Sequence, residues 1–165
     1  MTQQKILSLE QLQARLAEHR QRGQLIILAN GCFDLLHVGH VRYLEGAKAL
    51  VPEGSGVLVV GVNSDASVTQ LKGAGRPLLP ASDRAQLVAA LRVVDYVVIF
   101  DALTVADLIV QLRPDIHAKG TDYTADNVPE RAVVAAYGGR VAIVGDPKQH
   151  STHELIAEIV GRFRR

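Results

Sequence analysis

Cysteine is nearly missing from this 165-residue chain, and the single one, Cys32, excludes an intramolecular disulfide framework. A lone thiol points to a reducing compartment, the cytoplasm. Charge of one sign is not in excess either: 18 Lys and Arg against 17 Asp and Glu leave a net +1. That balance argues against non-specific binding to nucleic acid, so any anion site has to be local. No apolar run reaches the length of a signal-peptide core or a membrane span. The expectation is a soluble, unprocessed protein with neither a nucleic-acid nor a membrane partner.

What is present suits one folded unit. Apolar residues make up 48% and charged residues 21% of the chain, so about two-thirds of the surface can be buried on folding. Leu9, Leu12 and Leu16 recur at helical spacing behind Ser8, a possible cap, and Gly23 follows as a stop signal. Residues 1–24 thus read as an amphipathic helix packed on a domain covering 25–165. Strand-sized aliphatic runs fall at 25–29, 57–62, 96–100, 115–118 and 141–144. Segments of helical spacing separate them, at about 38–51, 65–71, 82–92, 104–112, 129–137 and 151–162. Continuous apolar strands alternating with helices predict an α/β fold, a parallel sheet covered on both faces. In such a sheet the ligand crevice lies beyond the carboxyl ends of the strands. Residues 72–80, rich in Gly and Pro, read as a flexible loop and a candidate lid.

The run after the first strand, Asn30-Gly31-Cys32-Phe33-Asp34-Leu35-Leu36-His37-Val38-Gly39-His40, carries the most chemistry. A helix starting near His37 or Val38 offers unpaired backbone donors and partial positive charge to a phosphate. His37 and His40, three apart, can point at one ligand, and Gly39 between them leaves room for a base or sugar. Zinc is a weaker reading, because neither a Cys pair nor a spaced His-Glu motif supplies the remaining ligands. A P-loop and the G-x-G-x-x-G fingerprint are both absent at this position, which removes kinase-like and dinucleotide readings.

The G-x-F-D-x-x-H-x-G-H pattern resembles the HxGH nucleotidylyltransferases, a Rossmann-like superfamily that includes cytidylyltransferases and pantetheine-phosphate adenylyltransferase. The resemblance continues through Gly61-Val62-Asn63-Ser64-Asp65, Leu71-Lys72-Gly73, Gly75-Arg76-Pro77, Asp83-Arg84, Lys119-Gly120-Thr121-Asp122-Tyr123 and Ser151-Thr152. The set is most similar to the branch that adenylylates D-glycero-β-D-manno-heptose 1-phosphate. Two positions depart from that branch: Thr121 interrupts K-G-G-D-Y, and His153 takes the third place of S-T-T.

The resemblance implies that a sugar-phosphate oxygen attacks the α-phosphorus of ATP, giving ADP-heptose, a lipopolysaccharide precursor, and pyrophosphate. It implies His37, His40 and Lys119 as catalytic residues. Gly31, Cys32, Phe33, Asp34, Gly39, Ser151 and Thr152 would bind the nucleotide, the last two holding the β- and γ-phosphates. Ser151 and Thr152 also fit a helix cap, with Glu154 completing a capping box. Asp34 either fixes the local turn or orients a histidine. Asn63, Asp65, Lys72, Arg76 and Asp122 are candidates for substrate contacts. For Asn63, Ser64 and Asp65 a helix cap is the stronger reading. Arg84 and Arg92 can pair with Asp83 or Asp95. Mg2+ is expected with ATP, with no protein ligand assigned, and a homodimer is expected from the family alone. The competing readings are cytidylyl transfer to glycerol 3-phosphate or a similar alcohol phosphate, and a nucleotide-binding protein without catalysis.

Overall fold

A computed structural model describes residues 2–146 and 151–163. The aliphatic runs become β1 (Leu25–Gly31), β2 (Gly56–Asn63), β3 (Tyr96–Phe100), β4 (Ile116–Gly120) and β5 (Arg140–Val144). All pair in parallel, in the order β3-β2-β1-β4-β5. The helices are α1 (Leu9–Gln21), α2 (Val38–Lys48), α3 (Asp65–Lys72), α4 (Ala81–Ala90), α5 (Ala106–Leu112), α6 (Arg131–Ala135) and α7 (Thr152–Phe163).

Strand alternation sends successive side chains to opposite faces. Ile27, Ala29, Leu58 and Val60 pack with Leu44 and Ala47 of α2 and Ala85 and Val88 of α4. Ile26, Leu28, Val57 and Val59 face Leu12 and Leu16 of α1 and Leu108, Ile109 and Leu112 of α5. The result is the single α/β domain that the alternation predicts. Ser8 caps α1 in a capping box with Gln11, and Gly23 ends the turn beyond it at φ 73°, a conformation glycine adopts without penalty.

Helix ends differ from the sequence reading. α4 stops at Ala90 rather than 92, because Leu91 is extended (ψ 131°) and the chain turns to deliver Asp95 to the Leu58 amide at 2.6 Å. α6 is only five residues long. Strands β1, β2 and β4 run further than their apolar residues, through Asn30–Gly31, Asn63 and Lys119–Gly120. α7 has no buried residue and shows Ile159, Val160 and Phe163 to solvent. Among the described residues no helix is long and apolar enough to cross a membrane.

The sheet changes direction of winding at β1 and β4, where sequence neighbours lie on opposite sides of the central strand. Only Ile27 with Ile116 and Leu28 with His117 pair there. The two strands then separate, and the gap at their carboxyl ends is the floor of the main cleft.

Candidate active site

The chain leaves β1 through a strained turn. Phe33 and Leu35 have φ of 51° and 59°, a left-handed backbone that costs of order 1–3 kcal/mol at each non-glycine residue. Asp34 between them, 1% exposed, holds the turn. Its carboxylate accepts Arg76 Nε–H at 2.6 Å, the Leu78 amide at 2.9 Å and the Leu79 amide at 3.1 Å. Burial raises the Asp34 pKa, but the Leu78 amide, Arg76 and the Leu79 amide outweigh it and hold the carboxyl below 3.8. Within the 72–80 segment, a candidate lid, residues 76–79 are therefore tied to Asp34. Asp34 takes the turn-fixing role through Arg76, Leu78 and Leu79.

Arg84, fully buried, reinforces the same turn. It donates to the Cys32 carbonyl at 2.5 Å, to the Leu79 carbonyl at 2.9 Å and to Asp65 Oδ1 at 2.8 Å. Its partner is Asp65, not Asp83 or Asp95. Asp95 instead pairs with Lys48 at 2.5 Å. Cys32 sits among these cations, yet burial prevails over Lys72, Arg84 and Arg76 and pushes its thiol pKa up, so it stays protonated at neutral pH.

α2 begins directly after this turn with His37 at its N-cap. The rings of His37 and His40 stack at 3.8 Å between centroids, and Phe33 lies 5.2 Å from His40. The His37 amide donates to His40 Nδ1 at 3.3 Å. An accepting Nδ1 places the proton of the neutral ring on Nε2. Burial first, and His37 second, lower the His40 pKa to about 4, so the free protein presents a neutral hydrogen-bond donor at pH 7.

Lys119 closes the opposite wall from the end of β4, only 8% exposed. Its Nζ is 3.8 Å from Glu130 Oε2 and 4.6 Å from the centre of the Tyr123 ring. Burial lowers its pKa, with Glu130 opposing. Beyond β5, Gly46 of α2 approaches Gly145 so closely that an added Cβ would meet its amide nitrogen at 3.2 Å. That contact brings the exit of β5 beside α2. Arg42 of α2 pairs there with Asp146 at 3.0 Å. At the head of α7, Ser151 Oγ accepts the Glu154 amide at 3.1 Å, which is the cap reading, and Thr152 donates to the Asp34 carbonyl at 2.7 Å.

These groups enclose one cleft of about 840 Å³. Every candidate catalytic, nucleotide-binding or substrate-binding residue lines it except Asp65: His37, His40 and Lys119; Gly31, Cys32, Phe33, Asp34 and Gly39; Ser151 and Thr152; Asn63, Lys72, Arg76 and Asp122. Asp65 instead holds Arg84, and Asn63 donates to Ser67 Oγ at 3.2 Å. The sequence reading missed Glu130 and Tyr43, which also line the cleft. A three-residue spacing gives away the histidine pair, whereas these two reach the site only through the fold. Among the described residues no three His, Cys, Asp or Glu gather as a metal cage.

Residues 28–158 match the family described as cytidylyltransferase-like. The chain belongs to that family. This cytidylyltransferase-like chain is 46% identical to the bifunctional protein HldE of Syntrophotalea carbinolica over 98% of its own length and 32% of that protein. It is also 46% identical to the bifunctional protein HldE of Geobacter sulfurreducens, over 96% of this chain and 32% of the other. It thus spans about a third of the length of these curated relatives. A solved lipopolysaccharide core biosynthesis protein from Thermoplasma volcanium superposes with a TM-score of 0.63 at 26% identity, covering 76% of this chain and all of that one.

Proposed function

We propose that the protein transfers AMP from ATP to a sugar 1-phosphate, D-glycero-β-D-manno-heptose 1-phosphate, forming ADP-heptose and pyrophosphate. The observation that carries this reading is the stacked His37–His40 pair at the head of α2, facing the same cleft as Lys119 and the head of α7. Identity to the HldE proteins across nearly the whole chain supports the choice of family branch. The superposed protein, described as a lipopolysaccharide core biosynthesis protein, is in keeping with that branch.

In the proposed step a phosphate oxygen of the acceptor bonds to the α-phosphorus as the bond from that phosphorus to the bridging oxygen breaks, and the pyrophosphate leaves with that oxygen. No covalent enzyme intermediate is required. Charge grows on the equatorial and leaving oxygens, so donors already aimed there lower the barrier. His40 Nε2–H, His37 and the Lys119 ammonium are those donors, with the backbone of the first turn of α2 behind them. The hydroxyls of Ser151 and Thr152 are engaged in holding α7, so backbone donors of that helix head are the groups offered to the β- and γ-phosphates. Mg2+ enters with ATP as part of the substrate, held by phosphates and water. We place the reaction in the cytoplasm, where ATP is supplied.

The test is pyrophosphate release from ATP and from CTP, each with the heptose 1-phosphate and with glycerol 3-phosphate. Turnover is expected with ATP and the heptose phosphate. Preference for CTP and glycerol 3-phosphate would replace this reading with cytidylyl transfer. Tight nucleotide binding without turnover on any pair would replace it with nucleotide binding alone.

A further inference from the structure

Glu130 stands outside every motif of the sequence, yet its carboxylate faces the cation on which the proposed transfer depends. It is the N-cap residue of α6, ten residues beyond the end of β4, and is 7% exposed. Its Oε2 is buried without a hydrogen-bond partner. The 3.8 Å to Lys119 Nζ is an ion-pair distance and too long for a hydrogen bond. On its other side the ammonium meets the face of Tyr123, a cation–π contact. Lys119 is thus held between a carboxylate and a ring without being locked to either.

We propose that Glu130 is the positioning residue of Lys119: it keeps the buried ammonium charged at the cleft wall and leaves its N–H groups available to an incoming phosphate. The phosphate in that statement rests on the adenylyl-transfer reading, whereas the coupling of the two side chains belongs to the free protein.

Two opposing effects act on the Lys119 ammonium. Burial favours a neutral amine, and in this pocket it lowers the Lys119 pKa, while Glu130 pulls the other way. Other groups around Lys119 do not replace that carboxylate. His117, on the same strand and face, is buried and has its pKa depressed to about 3, so it is neutral where Lys119 titrates. Tyr123 presents its ring. Asp122 lines the cleft, and Asp146 is paired with Arg42 of α2. His37 and His40 face the cleft from the head of α2. Among the described residues Glu130 is the carboxylate within ion-pair distance of Lys119.

Two measurements separate this proposal from the reading of the reaction. In ligand-free protein labelled with 13Cε-lysine, the Lys119 signal is assigned by its loss in Lys119→Arg and followed into alkaline pH. Glu130→Gln is expected to lower its titration midpoint by about one pH unit or more, and Glu130→Asp to restore most of the difference. An unchanged midpoint in Glu130→Gln overturns the proposal, whatever reaction the protein catalyses. In the pyrophosphate assay Glu130→Gln is expected to lower kcat roughly tenfold, within the range for coupled neighbours, with KM for ATP little changed. That loss should vanish in a Lys119→Ala background. An equal loss in both backgrounds gives Glu130 a role independent of Lys119 and also overturns the proposal. A wild-type protein that releases no pyrophosphate from any pair of substrates defeats the adenylyl-transfer reading, while the titration still decides the coupling.

Discussion

Tyr43 of α2 donates its hydroxyl proton to the carbonyl of Ala118 in β4 at 2.8 Å and accepts the amide of Asn30 in β1 at 3.4 Å. The side chain thereby fills the place of a backbone bond where β1 and β4 part, and the cleft can open without leaving two strand groups unsatisfied. Burial pushes the Tyr43 pKa well above 10, so the phenol remains a donor under ordinary conditions. Tyr43→Phe leaves both groups unpaired, at a cost of about 1–3 kcal/mol. Urea unfolding should show a lower midpoint at unchanged slope; a midpoint equal to that of the wild type would mean that the strands do not depend on this bridge.

Arg84 binds three oxygens on three segments, and its side chain is completely enclosed. Arg84→Met removes a charge of similar length and strands the Cys32 and Leu79 carbonyls. The expected loss is about 3 kcal/mol, and Arg84→Lys should recover little of it, because an ammonium cannot span three directions as a guanidinium does. Thermal unfolding of the two variants checks this; full recovery by lysine would show that charge alone matters.

Acid should destabilise the fold through its buried imidazoles. His117 donates Nε2–H to Asn30 Oδ1 at 3.2 Å, and burial, with Lys119 adding to it, lowers its pKa to about 3; His40 stands at about 4. Both values lie below the ordinary 6.5, so the unfolded chain binds protons first as pH falls. Stability is therefore lost on descending from pH 6.5 towards 4, at about 1.4 kcal/mol per pH unit for each ring. Asp34 adds to the same acid loss at lower pH, since its stabilisation persists until pH falls through its folded pKa, below 3.8. In urea titrations between pH 6.5 and 4, His117→Gln should reduce the slope of stability against pH by about one proton. An unaltered slope would show that His117 is not held neutral.

Removing one preorganised donor costs about 100-fold to 1,000-fold in rate. His40→Ala and Lys119→Ala should each lose activity on that scale in protein whose circular dichroism shows it to be folded. Near-normal turnover in either folded variant removes that residue from the mechanism.

The fold was legible because five aliphatic runs and their intervening helical spacings leave few alternatives to a parallel sheet. The strands were read too short for an instructive reason: Asn30, Asn63 and Lys119 are polar, and a hydrophobic pattern stops where the strands reach the cleft. The histidine pair was visible through its spacing after a strand. Glu130 and Tyr43 were not, since nothing local distinguishes a glutamate in a loop or a tyrosine on a helix until the sheet brings them beside Lys119 and Ala118. Arg84 was expected to pair with a neighbour in sequence, Asp83 or Asp95. Its side chain instead points inward beneath the Asp34 turn and meets Asp65, a long-range choice that the sequence does not display. Residues 72–80 read as flexible by composition, and the Asp34 carboxylate that anchors 76–79 lies about forty residues away.

The most direct test is a crystal structure with a non-hydrolysable ATP analogue bound. The account predicts the triphosphate at the head of α2, within hydrogen-bond distance of His40 Nε2 and with Lys119 reaching the α-phosphate. A triphosphate seated away from both histidines would contradict it.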